Sequence, residues 1–570
     1  EFTYQYSSFG VPGLGLKRGL SQDVVVAPYA TVLAAMIDPA AALANLASLA
    51  DAGGKGRYGF YEALDYTGTR VPDNQTVAVV RAYMAHHQGM SVIAIANVLH
   101  GDTMQARFHA EPMVQATELL LQERTPRDVL VARPRAEEVS AAAQIRDLIP
   151  PLLRRFTTPH SAIPQMHLLS NGRYTVMLTA AGSGYSRWRD LAVTRWRTDV
   201  TRDCWGSYTL LRDAETGQVW SAGYQPSGVE PDTYDVAFSE DHAEFVRTDG
   251  AMTTTLEVVV SSEDDAEVRR VSLTNLGSRA RDIQVTSYAE LCLAPQGADV
   301  AHPAFSNLFV QTEFVPEAGV LLATRRRQSE TDAPVWAAHV VVGDGELVGA
   351  LQYETDRARF LGRGRSARNP VSMIDGRPLS NTTGSVLDPV LSLRRTVRIE
   401  PGTTARLVFS TIIGSTREQV LELADKYRDS RVYERALSLA WTQAQVHLHH
   451  LDIGHDEAHL FQMLANAVLY PNAALRPPSD VLSRTSLERA ALWAHGISGD
   501  LPIVLARIDD VEDVGMIRQL LRAHEYWRTK QLSADIVILN EKPPSYLQEL
   551  QESLEILVRG SRLRLSPDTG

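Results

Sequence analysis

A chain of 570 residues with 44% hydrophobic and 22% charged side chains has the composition of folded globular protein, with room for three or four domains of about 150 residues. Its formal net charge is −12 and it carries no dense Lys/Arg run, which argues against nucleic acid or anionic membrane as a partner. Two cysteines, Cys204 and Cys292, are too few for a disulfide framework and fit a reducing compartment, although sequence leaves their pairing open. No apolar stretch reaches the ~20 residues that cross a bilayer. The chain opens at Glu1 without a methionine or a basic-plus-apolar signal, and reads as a piece of a longer polypeptide.

Residues 1–128 read as helical. Asp38 can cap free N–H groups, Pro39 suits a first helical turn, and Gly53-Gly54 supplies a stop. Leu43, Leu46 and Leu49 mark one face of that helix. A second helix is expected over 73–99. Its apolar residues, among them Val77, Val79, Val80, Met84, Ile93, Ile95 and Val98, point in all directions, as in a buried helix. Prolines and charges over 129–160 read as a linker with a short helix near 136–148.

From 161 to 420 the pattern alternates apolar and polar residues, as in Val271–Thr274 and Ile283–Thr286, with Asn275–Ser278 as a turn between them. Many short strands of this kind predict a large antiparallel β-sandwich. Helices return at 421–480, where Leu437, Trp441, Ala444, Leu448 and Leu451 recur at spacings of three and four. More helices are expected near 456–469, 486–494, 513–530 and 545–559.

The first chemical candidate is Glu62, flanked by Tyr58, Phe60, Tyr61 and Tyr66. Glycosyl transfer uses two carboxyl groups, and aromatic faces suit the C–H faces of sugars. A solvated loop acid among packing aromatics is the plain alternative. His86, His87 and Gln88 form a second candidate, since buried polar side chains need partners. Satisfied core histidines explain them equally well. His455 and His459, four apart on one helical face, could offer two metal ligands. In the zinc-protease pattern the second residue is Glu, whereas Asp456 stands there, so polar contacts between helices and sandwich are the better expectation.

Tyr4–Tyr6, Gly10–Gly19, Ala27–Ala30, Tyr58–Glu62 and His86–Met90 resemble the end of the glucoamylase-like domain of cyclic β-1,2-glucan synthases. The resemblance implies an incomplete (α/α)6 helical toroid that closes linear β-1,2-glucan into rings by transglycosylation. It makes Glu62 one catalytic carboxylate, more as acid/base than as nucleophile, with its partner upstream. Tyr58, Tyr61, His86, His87 and Gln88 become sugar contacts. Asn171–Tyr174, Ala181–Trp188 and Thr194–Trp196 resemble the mutarotase-like N-terminal sandwich of cellobiose and chitobiose phosphorylases. There Gly182-Ser183-Gly184 would project Tyr185 and Trp188 toward a sugar cleft. Trp493–Ile503 resembles the entry to the phosphorylase (α/α)6 barrel, so 481–570 is expected to start a second barrel whose general acid lies beyond the chain. The family implies β-1,2-glucan oligosaccharides and the rest of the synthase polypeptide as partners. It also implies inorganic phosphate as a substrate, no redox cofactor or metal, and a parent on the cytoplasmic side of the bacterial inner membrane. A non-catalytic carbohydrate-binding or scaffold piece is the rival expectation.

Overall fold

Two units partition the chain, Glu1–Leu148 and Ile149–Gly570. The computed structural model describes residues 24–67, 71, 75–111, 114, 153–327, 332–429, 431–484, 489–542 and 549–563. The motifs Tyr4–Tyr6 and Gly10–Gly19, and the expected helix near 136–148, lie outside the described residues.

In the first unit, helix Pro39–Leu49 starts as the sequence dictates. Asp38 Oδ1 accepts from the backbone N–H of Ala40 (3.1 Å) and Ala41 (3.0 Å), and Pro39 occupies the first turn. Its expected buried face is only partly so: Leu49 is buried, but Leu43 is 71% exposed. The helix expected over 73–99 is shorter. Ala78–Val80 is a strand paired with Ala63–Asp65, which also pairs with Val25–Val26. The helix proper is Ala85–His100. The β-branched pair Val79-Val80 prefers the pleated strand, and apolar residues all round a segment do not by themselves separate the two states. Nor is this helix buried: Ile93 and Ile95 are exposed, while His87, Ala94 and Asn97 face inward. Pro28–Ala34 packs against it, and Thr103–His109 follows it.

The second unit is built on two antiparallel sheets, nine strands each among the described residues. One runs in the spatial order Val219–Ser221, Ser207–Asp213, Arg281–Pro295, Leu191–Thr194, Gly184–Trp188, Tyr174–Thr179, Met166–Ser170. Pro389–Ile399 also pairs with Arg281–Pro295 and carries Glu346–Asp356. The other runs Val310–Val315, Val320–Arg325, Trp336–Asp344, Thr404–Gly414, Ala266–Asn275, Met252–Val260, His242–Asp249, Thr233–Phe238, Arg154–Phe156. The last of these strands falls within the expected linker 129–160. Side chains alternate between the faces: Tyr174, Val176 and Leu178 enter the core between the sheets with Val258, Val271 and Leu273. The Asn275–Ser278 turn is present, with Asn275 Oδ1 accepting from Gly277 N–H at 2.9 Å.

Many strands are apolar on both faces because helices cover the outer ones. Val268 and Val408 pack under Arg417–Lys426 and Val432–His450 through Val420, Tyr427 and Tyr433. Leu168 and Met177 of the opposite sheet pack under His455–Leu469 and Val514–Thr529 through Phe461, Tyr526 and Trp527. Leu437 and Leu448 are buried as the spacing predicts, whereas Trp441 is 42% exposed. The segment expected to start a second barrel as helices alone contains a parallel strand pair instead. Ile503–Ile508 pairs with Asp535–Asn540, and Val514–Thr529 connects them. A parallel pair requires such a crossover, so the helix was legible and the pairing was not. Both cysteines are free, Cys204 exposed and Cys292 buried. Among the described residues no helix is long and apolar enough to cross a membrane.

Candidate functional site

Glu62 follows a short hairpin, Lys55–Gly56 paired with Gly59–Phe60, whose two-residue tip is Arg57-Tyr58. A Cβ at Gly56 would lie 2.4 Å from the Tyr61 ring, so any larger residue here would push that ring aside. Tyr61 N–H donates to Gly54 O (2.8 Å) and Glu62 N–H to Val80 O (3.2 Å), which turns the Glu62 side chain inward. Glu62 is 3% exposed and one of its oxygens stands 2.5 Å from His87 Nδ1. His87 sits in the first turn of Ala85–His100, 5% exposed, with Tyr29 stacked on its ring at 3.8 Å and 9°. His86 covers it at 3.9 Å. The short contact fixes the buried Glu62 carboxyl group, and the Tyr29 stack fixes the imidazole ring that holds it. Asp65, fully buried, lies three residues on, with Oδ1 accepting from Thr67 N–H at 2.9 Å.

The aromatic residues around Glu62 divide by exposure. Tyr58 is 76% exposed at the hairpin tip, and Tyr61 is half-buried. Both meet Tyr83, with ring centroids at 6.4 and 5.5 Å. Of the polar triplet only His87 is buried, so His86 and Gln88 need no buried partner. Tyr83 opens the stretch that carries His86–Gln88 and Tyr29 lies in Ala27–Ala30, but neither is singled out as a site residue, and nothing in the sequence ties Tyr29 to His87.

In the second unit, Gly182 (φ 91°) and Gly184 (φ 153°) form a tight strand junction. A Cβ on Gly184 would meet Met177 O at 1.8 Å. The turn therefore holds the strand Gly184–Trp188 against its neighbour and projects no loop. Trp188 is 5% exposed, packs in the sandwich core and donates from Nε1 to Asp265 Oδ2 at 2.7 Å. Tyr185 packs edge-on against Trp196 at 5.3 Å. It lines a cavity of about 420 Å³ with Arg187, Arg197, Asp299, Asp500 and Gln531. Burial pushes its phenol up to about 12.

A further acid escaped the sequence reading. Asp203 lines a cavity of about 460 Å³ with His160, Arg202 and Tyr224, and accepts from Thr179 Oγ1 at 2.8 Å. Burial pushes its carboxyl up to about 6, the range in which an acid can both give and take protons. His455 and His459 lie on one helix, but among the described residues no cluster of three or more His, Cys, Asp or Glu side chains is placed to hold a metal ion.

Residues 150–430 match the glycosyl hydrolase 94 supersandwich domain, and residues 1–112 match the putative glucoamylase family. Together these matches put a supersandwich-type domain after a glucoamylase-like segment. The chain is 44% identical over 564 residues to the cyclic β-(1,2)-glucan synthase NdvB of Rhizobium meliloti (strain 1021), covering 99% of this chain and 20% of that protein. It is thus a relative of the cyclic β-(1,2)-glucan synthases. N,N'-diacetylchitobiose phosphorylase of Vibrio furnissii is 26% identical over 48% of this chain and 33% of its own length. Solabiose phosphorylase of Paenibacillus borealis is 27% identical over 38% of this chain and 27% of its own length. The chain therefore spans between a fifth and a third of these relatives. Among solved structures, a bacterial glucoamylase complexed with acarbose aligns over 56% of this chain and 44% of its own, at 9% identity and a TM-score of 0.33.

Proposed function

We propose that this chain forms part of an enzyme that acts on β-1,2-glucans. In it, residues 1–128 contribute to a transglycosylating site within an (α/α)6 toroid, and Glu62 is one of two catalytic carboxyl groups. The buried Glu62–His87 contact beside the exposed Tyr58 and Tyr83 carries the reading. His87 holds the Glu62 carboxyl group in place, and Tyr58 and Tyr61 offer faces on which glucose rings stack. Gln88 and His86, exposed on the same helical turn, contact sugar hydroxyls. Residues 161–420 and 421–480 belong to a phosphorylase-like half that trims chain length with inorganic phosphate, and 481–570 leads into its catalytic barrel. Tyr185 faces glucan there, in its cavity with Trp196; Trp188 contributes chiefly to the sandwich core. The remaining synthase polypeptide is the partner that completes both sites, on the cytoplasmic side of the inner membrane.

The test is cyclisation of linear β-1,2-glucan by the complete reading frame that contains this chain, with Glu62 intact and as Glu62→Gln. Loss of an acid/base group costs roughly 10²–10⁴-fold, with glucan binding retained. An unchanged rate would remove Glu62 from the chemistry. Binding without turnover in the unaltered protein would favour a scaffold built on the exposed tyrosines.

A further inference from the structure

Deeply buried arginines of the sandwich unit reach carboxylates. Arg247, 0% exposed, meets Asp249 at 2.5 Å, and Arg195 meets Glu290 at 2.7 Å. Arg394, 1% exposed, meets none among the described residues. Its Nε donates to Thr286 Oγ1 at 2.9 Å and its Nη1 to Arg377 O at 3.0 Å. Its Nη2 donates to Ser372 O at 2.6 Å and Met373 Sδ at 3.4 Å. All four acceptors are neutral. A buried charge without a countercharge is costly. Burial, reinforced by the charge of Arg212, lowers this guanidinium to about 10.

Arg212 is a second cation without a carboxylate. It stands opposite Gln284 in the sheet, while Arg394 stands opposite Thr286 on the same strand. Residues two apart share a face, so both arginines lie on the outer face of that sheet. Phe360 and Met373, from the helical turns Arg357–Leu361 and Val371–Ile374, pack there on Tyr208, Leu210 and Tyr288. Arg212 Nε is buried and has no hydrogen-bond partner. Nearby acids are committed elsewhere: Asp213 to Arg281 at 2.8 Å, Asp282 to Arg398 at 3.0 Å and Asp375 to Arg365 at 3.8 Å. Both guanidinia close on one short stretch. Arg394 holds the carbonyls of Ser372 and Arg377, and Arg212 Nη2 would stand 2.5 Å from a Cβ at Gly376, whose φ of 65° favours glycine. The Ser372 hydroxyl, also buried, has no partner either.

This set of donors calls for negative charge. Arg394 keeps one Nη1–H and Arg212 its whole fork, and a serine hydroxyl can donate as well. Oxyanions take guanidinium forks in bidentate fashion, which a single remaining N–H on Arg394 does not offer, so the set suits a monatomic ion. We propose that Arg212, Arg394 and the Ser372 hydroxyl hold a monovalent anion of chloride size, which locks the segment 357–379 onto the sheet. Nothing in this site depends on the chemistry at Glu62.

Thermal unfolding of the full chain in sodium chloride against sodium gluconate, at equal ionic strength, tests it. An ion that binds the folded chain alone raises the melting temperature along a saturating curve. Arg212→Gln moves the midpoint of that curve to chloride concentrations at least about tenfold higher, as loss of a charged hydrogen bond requires. Arg394→Met removes the response. Should Arg394→Met not fold, crystals of the unaltered chain grown in bromide decide, through an anomalous peak between Arg212 and Ser372. A melting temperature indifferent to chloride, an Arg212→Gln curve with the original midpoint, or no bromide peak there would overturn the site. Sulfate or phosphate acting through the same arginines at lower concentration than chloride would overturn the monatomic assignment.

Discussion

The two units handle apolar surface in opposite ways. In Ile149–Gly570 the sheets bury both faces: Val268 and Val271, on one strand, are each 0% exposed, one under helices and one in the sandwich core. Its charges are paired as carefully. Arg195, 7% exposed, reaches Glu290 at 2.7 Å, Asp388 at 3.1 Å and Asn307 at 3.1 Å. In Glu1–Leu148, helix Ala85–His100 leaves Val92 66%, Ile95 48% and Leu99 71% exposed, while its one buried histidine is committed to Glu62. The lesson is that the sandwich unit holds itself together with its own residues. The glucoamylase-like unit has its polar site in order, while among its described residues one helix leaves large apolar side chains exposed.

Substitutions can break that contrast. Trp220→Ala empties a fully buried site in the sandwich, where the indole also reaches Thr254 at 3.3 Å, and should cost about 3–5 kcal/mol in urea unfolding. His339 comes next. Burial, together with the charge of Arg269, depresses its imidazole to about 4, and the neutral ring contacts Ser287 and Thr411. Between pH 4 and 6.5 the unfolded chain binds the extra proton, so stability falls as pH falls through that window, by about 2–3 kcal/mol in all. His339→Gln should flatten that slope of unfolding free energy against pH.

Asp203 has the reverse sign. Its folded carboxyl, raised to about 6, favours the protonated form, so its contribution is present below the unfolded value near 4 and lost as pH rises through 6. Asp203→Asn should therefore stabilise by about 1–2 kcal/mol at pH 7, with partial solvent access holding the figure down, and have no effect at pH 3.5. Smallest is Leu99→Ala on the uncovered helix face, expected within about 0.5 kcal/mol. A large loss there would mean that this face is already covered.

Legibility in the sequence followed the range of the interactions involved. The cap at Asp38, the turn at Asn275–Ser278 and the helix Val432–His450 depend on residues within a few positions, and each stands where the pattern puts it. The aromatic setting of Glu62 was visible because its tyrosines adjoin it. Its partner His87, 25 residues away, was visible only as a candidate in its own right, and the Tyr29 stack not at all. Period-two alternation announced the sandwich, but the doubly covered strand Tyr174–Thr179, buried throughout, has no polar face to alternate. The Gly182–Gly184 pattern alone suggests a projecting turn, because sequence does not show that Met177 O fills the space beside Gly184. In the same way Val77–Val80 suited a helix or a strand until Ala63–Asp65 provided an edge to pair with.

The central claim is that Glu62, tied to His87, does the chemistry of glycosyl transfer. Its most direct test is the pH–rate profile of cyclisation for the complete enzyme with His87 intact and as His87→Gln. The account predicts that the variant still binds linear β-1,2-glucan but cyclises it more slowly, with its acid/base limb moved along the pH axis, and that Glu62→Gln abolishes that limb. Superimposable profiles for all three proteins would contradict it.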